Sequence, residues 1–205
     1  MEFAVVIEGF SAGGYIGNLS PEKVALAAQR AINKIADRAR TRADKAIRTQ
    51  IAFPARYLGP ASKRLWVQTK ASRANLEAVV RGQGRPTSLA RFSRAKALAP
   101  GKRHKDGKVD VTVQPGSTKY IRRAFIMRLK NGNEGLAVRT SGGPPVGAYR
   151  PKPITDRLWL LYGPSVDQAL ISARQSGIYE DLSLDTLDAL EAEFFRLIEL
   201  EERDG

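Results

Sequence analysis

The chain has no cysteine and a single histidine among its 205 residues. The first absence excludes disulfides and any thiolate nucleophile or metal ligand, and the second leaves too few soft ligands for a protein-only zinc site. Aromatic side chains are also scarce, at 7%, so little is available to stack the bases of a single strand. No apolar run approaches the roughly 20 residues that span a bilayer. Glu2 stands where a signal peptide carries its positive end, and Val5-Val6-Ile7 is shorter than the apolar centre of one. The expectation is a chain that stays in the cytosol when made and has no membrane partner.

What is there is charge, unevenly placed. The formal net charge is +13 and the pI about 10.3. Residues 180–204 nevertheless hold 10 acidic and 2 basic side chains, a balance of −8, and the rest of the chain then holds 34 − 2 = 32 basic and 21 − 10 = 11 acidic, or +21. The shift suggests a basic α+β part, residues 1–179, followed by an acidic helix, residues 180–205, either in the same domain or as an interface arm. A basic body can meet phosphates and an acidic tail can meet another copy of that body. Two solvated surfaces would give the same composition.

Residues 2–8 are rich in Val, Ile and Phe and read as a short strand, and the glycines of 9–18 as a loop. A helix then starts with complete chemistry: Ser20 to cap, Pro21 at the first position, Glu22 at the positive end of the dipole, and Leu19 and Val24 at staple spacing. From Val24 to Ile47 apolar residues recur at three and four, mostly alanine in the second half, so the helix runs to about Gln50 and stops before Pro54. Residues 65–71 and 76–81 then read as a strand pair. Leu89, Phe92 and Leu98 are apolar anchors in basic sequence, and residues 100–108 are a loop. Val109, Val111 and Val113 alternate as a one-face-buried strand that ends at Pro115-Gly116. Residues 125–129 and 136–139 form a hairpin about Asn131-Gly132, with 141–153 irregular throughout and 159–162 a further strand. Ser165 caps a helix reaching Gln175, with Val166, Ala169, Leu170 and Ala173 inward. A last helix spans 184–202, with Leu187, Leu190, Phe194, Leu197 and Ile198 on its apolar side. Its terminal glutamates oppose the dipole, which implies fraying or basic partners. The whole reads as an α+β fold: a mostly antiparallel sheet packed by a long N-terminal helix, with C-terminal helices.

Enzymatic machinery is hard to find. Gly82-Gln83-Gly84-Arg85-Pro86 has glycines but lacks the lysine of a phosphate loop. His104 sits among cations with no serine or cysteine partner near it, and Ser165 is explained by capping. The pairs Asp185/Asp188 and Glu199/Glu202 lie on an exposed helix side, where general acid–base work lacks a shielded cleft. No enzyme, metal or cofactor is expected. Nucleic-acid binding has more support, from basic clusters at 30–48, 81–94 and 102–108, and it would be phosphate-directed, salt-sensitive and without sequence readout.

The order of features resembles the minor tail protein Z, or tail-completion, family of long-tailed bacteriophages. The likeness is carried by the basic helix with Ala31-Ile32-Asn33-Lys34, the Tyr57-Leu58 stretch, Ala124-Phe125-Ile126 with Leu129-Lys130-Asn131-Gly132, Pro153-Ile154, and above all Leu161-Tyr162-Gly163-Pro164-Ser165-Val166. It implies a non-catalytic virion protein at the head-proximal end of a tail. There it would be a ring-forming, hexameric subunit between the tail terminator and tube and the head connector or neck proteins, with the end of packaged DNA as a further partner in the lumen. A head-to-tail ring needs two complementary surfaces on each subunit. On that reading Arg38, Arg42, Lys45, Arg48, Arg91, Lys102, Arg103 and Lys105 contact DNA or a neighbouring subunit, and Glu199, Glu201 and Glu202 form the oligomer interface. The alternative is a non-specific nucleic-acid-binding protein with no place in a virion.

Overall fold

The computed structural model describes residues 4–6, 20–98, 107–147, 150–176 and 178–203. Strand β1 (Ala4–Val6) is followed by helix α1 (Pro21–Gln50), then β2 (Leu65–Thr69), β3 (Val79–Gly82), β4 (Lys108–Gln114), β5 (Ser117–Arg122), β6 (Ala124–Arg128), β7 (Glu134–Arg139), β8 (Arg150–Thr155), β9 (Leu158–Tyr162), and helices α2 (Val166–Gln175) and α3 (Ile178–Arg203). Single 3-10 turns lie at Pro60–Ser62 and Leu89–Phe92. This is an α+β fold.

Local chemistry sets α1. The Ser20 hydroxyl accepts from the Lys23 amide at 3.4 Å, and Pro21 takes the first turn. The Glu22 carboxyl is held below its ordinary pKa by its own backbone N–H and then by Ser20, as an anion at a helix start should be. Leu19, the other half of the expected staple, lies outside the described residues, as do the loop 9–18 and His104.

Among the described residues every strand pair is antiparallel, but the strands form three sheets rather than one: β1-β3-β2, β4-β5 and β6-β7-β9-β8. One strand was not foreseen, and two expectations need correction. Ser117–Arg122 is a strand that alternation hides, because only Ile121 is buried in it; its pairing to β4, not its own pattern, defines it. Residues 150–153 are not irregular but belong to β8, an edge strand. Prolines 151 and 153 are tolerated there because an edge position can do without an N–H. The last helix begins at Ile178 rather than 184, and Leu187 is 54% exposed instead of inward. The hairpin turn is as expected, with the Gly132 amide donating to the Leu129 carbonyl at 2.9 Å and Gly132 at φ 77°.

Two cores share α1. One joins its C-terminal half (Ala43, Ile47) to residues of all three sheets, to Phe53, Leu58 and Phe92, and to Val166, Ala169 and Leu170 of α2. The other joins its N-terminal half, Ala27 to Ala36, to Ala71 and Ala78 and to Leu190, Phe194 and Ile198 of α3. The alanine stripe therefore lets α3 and the β2–β3 hairpin approach α1 closely. Helix α2 is pinned beside β3 at Gly82, where a Cβ would stand 3.0 Å from the Asp167 Cα and amide nitrogen. The Asp167 amide donates to the Gln83 carbonyl at 3.2 Å.

Candidate interaction surfaces

The cations of α1 divide by what they touch. Arg48 donates through Nε to Asp44 at 2.6 Å and through its two terminal nitrogens to the carbonyls of Phe53, Pro54 and Ala55. A guanidinium in this fork-like arrangement closes the helix C-terminus and fixes the chain that leaves it. Arg40 donates to the carbonyls of Leu65 and Leu58 and so ties α1 to the start of β2. Arg30 and Lys34 turn toward α3, to Glu201 at 3.0 Å and to Glu193 at 2.7 Å. Arg42 is half-buried and engaged. Arg38 and Lys45 are exposed, with no ion pair among the described residues.

The acidic helix has an inner and an outer side. On the inner side Glu193 is buried and is held by Arg196 at 2.7 Å and Lys34 at 2.7 Å. The Arg196 hydrogen bond, then that of Lys34, brings its carboxyl down to a pKa of about 2, while burial pushes the other way, and the Arg196 guanidinium is raised in return. The outer side carries Asp188, Glu191, Phe195, Glu199 and Glu202, all exposed and spaced by three and four, so they share one face. Phe195 is 43% exposed and meets Phe194 in an edge-type contact with 5.7 Å between ring centroids.

Away from α3, against the larger core, a cavity of about 170 Å³ opens between the β6–β7 turn and the segment after β3. Tyr57, Tyr162 and Leu129 line it, and Arg64, Arg85 and Arg91 stand around it. The Tyr57 ring stacks on Phe53 at 5.2 Å and carries the Arg64 guanidinium 4.0 Å from its centroid, and its hydroxyl pairs with that of Thr87 at 3.0 Å. Arg64 is further fixed by the Tyr57 carbonyl. Arg85 and Arg91 are exposed, without an ion pair among the described residues. Glu134, the one acid among the described residues of the cavity, accepts from the Ala97 amide at 3.3 Å. Its surface is thus cationic with aromatic walls.

Of the residues singled out from sequence, Arg38, Arg42 and Lys45 share α1 with Arg48, whose bonds are to its own chain. Arg91 stands apart from them, at the cavity. Lys102, Arg103 and Lys105 lie outside the described residues. Glu199 and Glu202 are on the outer face of α3, whereas Glu201 turns inward to Arg30. The basic partners expected for the terminal glutamates thus include a residue of the same chain. Sequence reasoning did not single out Arg64, and held Arg85 only as part of the basic cluster 81–94; the packing of the segments around β2, β3 and Tyr162 brings both beside Arg91. It also missed Glu193, whose place on the inner side of α3 was legible from its spacing to Leu190 and Leu197.

No helix among the described residues is long and apolar enough to cross a membrane. The family model for prophage minor tail protein Z matches residues 15–194 of the chain. No curated protein and no solved structure matches it.

Proposed function

The chain belongs to the prophage minor tail protein Z family and is therefore a structural protein of a phage tail; from that premise we propose that it is a ring-forming subunit that completes the head-proximal end of the tail. Its neighbours are further copies of itself in a hexameric ring, the tail terminator on one side and the connector or neck proteins on the other. Its place is the virion, after assembly in the host cytoplasm, and the work is assembly rather than catalysis. The observation that carries the reading is the pair of unlike surfaces on one subunit, an acidic outer face on α3 and a cationic cavity against the other core. A closed head-to-tail ring is built from such a pair, because its interface is heterologous. The exposed cations Arg38 and Lys45 suit the phosphates of a DNA end in the lumen.

Light scattering on the purified protein, alone and with the tail terminator, tests this. The expected result is a closed oligomer or a stoichiometric complex. A monomer that ignores the terminator and binds DNA steeply with falling salt would favour the second reading, a non-specific phosphate-directed binder, which the same Arg38 and Lys45 support.

A further inference from the structure

We propose that the arginine-ringed cavity is the receptor for the outer face of α3 from a second copy of this chain, with Phe195 as the anchor and Glu199 and Glu202 meeting Arg85 and Arg91. The inference rests on the assembly reading above and adds to it the two mating surfaces.

Three observations carry it. The first is size. The cavity, open to solvent on one side, is about 170 Å³, room enough for one aromatic ring, since an enclosed apolar cavity of about 150 Å³ takes benzene. Its apolar wall is made by Tyr162, Pro86 and Leu129, beside polar groups such as Asn131 and Asn133, and an incoming phenyl group can pack on that wall. The second is charge. Arg85 and Arg91 are exposed guanidinium groups without an ion pair among the described residues. Arg64 adds a third positive group, held in place by the Tyr57 ring. The outer face of α3 carries four carboxylates around one exposed aromatic residue. An apolar anchor ringed by complementary charge is the usual anatomy of a specific interface. The third is placement. Helix α3 packs on the N-terminal half of α1 in one core, and the cavity borders the other. The chain's own α3 is thereby held in its own core, and a copy joined this way passes its unused surface to the next, as a ring requires.

The test is a charge swap read by light scattering and sedimentation on the full chain. R85E/R91E and E199R/E202R are each expected to weaken self-association by about tenfold or more, and an equimolar mixture of the two variants is expected to recover it in part, because each supplies the mate the other lacks. Circular dichroism checks that the variants fold; should a reversal not fold, R85Q/R91Q and E199Q/E202Q replace it with the same expectation of loss. Self-association unchanged in both variants overturns the contact while leaving a ring built through other surfaces. Loss without recovery in the mixture also overturns it. A wild-type monomer that still joins the terminator removes the contact but not the tail-completion reading, and one that does neither removes both. If R85E/R91E abolishes binding to a short DNA duplex without altering self-association, the cavity takes phosphate and the proposal falls.

Discussion

The Lys34 ammonium donates to the buried carboxylate of Glu193 at 2.7 Å, joining α1 to α3 across 159 positions of sequence. Arg196 completes the clamp from one turn further along α3. A carboxylate that has lost most of its water needs such partners, because an unpaired buried charge is costly. The clamp lies beside Leu190, Phe194 and Ile198, so it fixes the register in which α3 lays its apolar side on α1.

The pH dependence of stability follows from that carboxylate. Its folded pKa, about 2, lies below the ordinary 4.5, so its contribution is complete above the unfolded value and is lost as pH falls from 4.5 toward 2. Both cations are about half exposed, so solvent screening holds the contribution of the clamp to about 1–2 kcal/mol. Glu193→Gln should cost that much near neutrality, and the gap to wild type should close across the same window. Urea denaturation at stepped pH checks it; a gap that does not change with pH would refute the clamp.

Arg48 should behave as a structural residue. Arg48→Ala removes hydrogen bonds to Asp44 and to the carbonyls of Phe53, Pro54 and Ala55, and is expected to lower stability by about 1.5–3 kcal/mol. Arg38→Ala and Lys45→Ala, on exposed positions, should stay within about 0.5 kcal/mol. Chemical denaturation of the three variants separates the groups, and equal effects would remove the distinction.

Removing the acidic helix should unfold half of the molecule. Phe194, 3% exposed, packs with Leu190 and Ile198 against Ala27, Ala31 and Ile35, so Phe194→Ala is expected to cost about 3–5 kcal/mol. Truncation after Asp181 bares that whole face of α1, and binding of an apolar dye by the truncated chain reports it. Burial of α3 in the second core makes the acidic helix part of the folded body rather than a detachable interface arm.

Ser165 caps α2 reciprocally. Its hydroxyl accepts from the Gln168 amide at 3.1 Å, and the Gln168 side chain accepts from the Ser165 amide at 3.2 Å. The serine is 1% exposed, so no water replaces the lost acceptor. Ser165→Ala should therefore cost about 1–2 kcal/mol, the upper part of the range for caps, visible as a lower midpoint in thermal melting.

Sequence alone fixed what is local. Ser20-Pro21-Glu22 determined where α1 begins and Pro54 where it had to have ended, because capping and the loss of an N–H act within a few residues. Val109, Val111 and the turn glycine Gly132 determined a strand and a hairpin for the same reason, and Gly-Pro-Ser ahead of Val166 determined the cap of α2. The inner face of α2 was legible because burial and helical period coincide there. Tertiary structure decided the rest. Ser117–Arg122 is a strand by virtue of its pairing with β4, and Arg150–Thr155 because β9 offers it an edge. Arg48, Arg40 and Arg38 look alike in sequence, yet carbonyls brought up by later segments engage the first two and leave the third exposed. Which glutamates of α3 turn inward depended on where α1 placed Arg30 and Lys34. Charge is written in the sequence, but its partners are chosen by packing, since the energy of an ion pair depends on distance and burial that no local pattern contains.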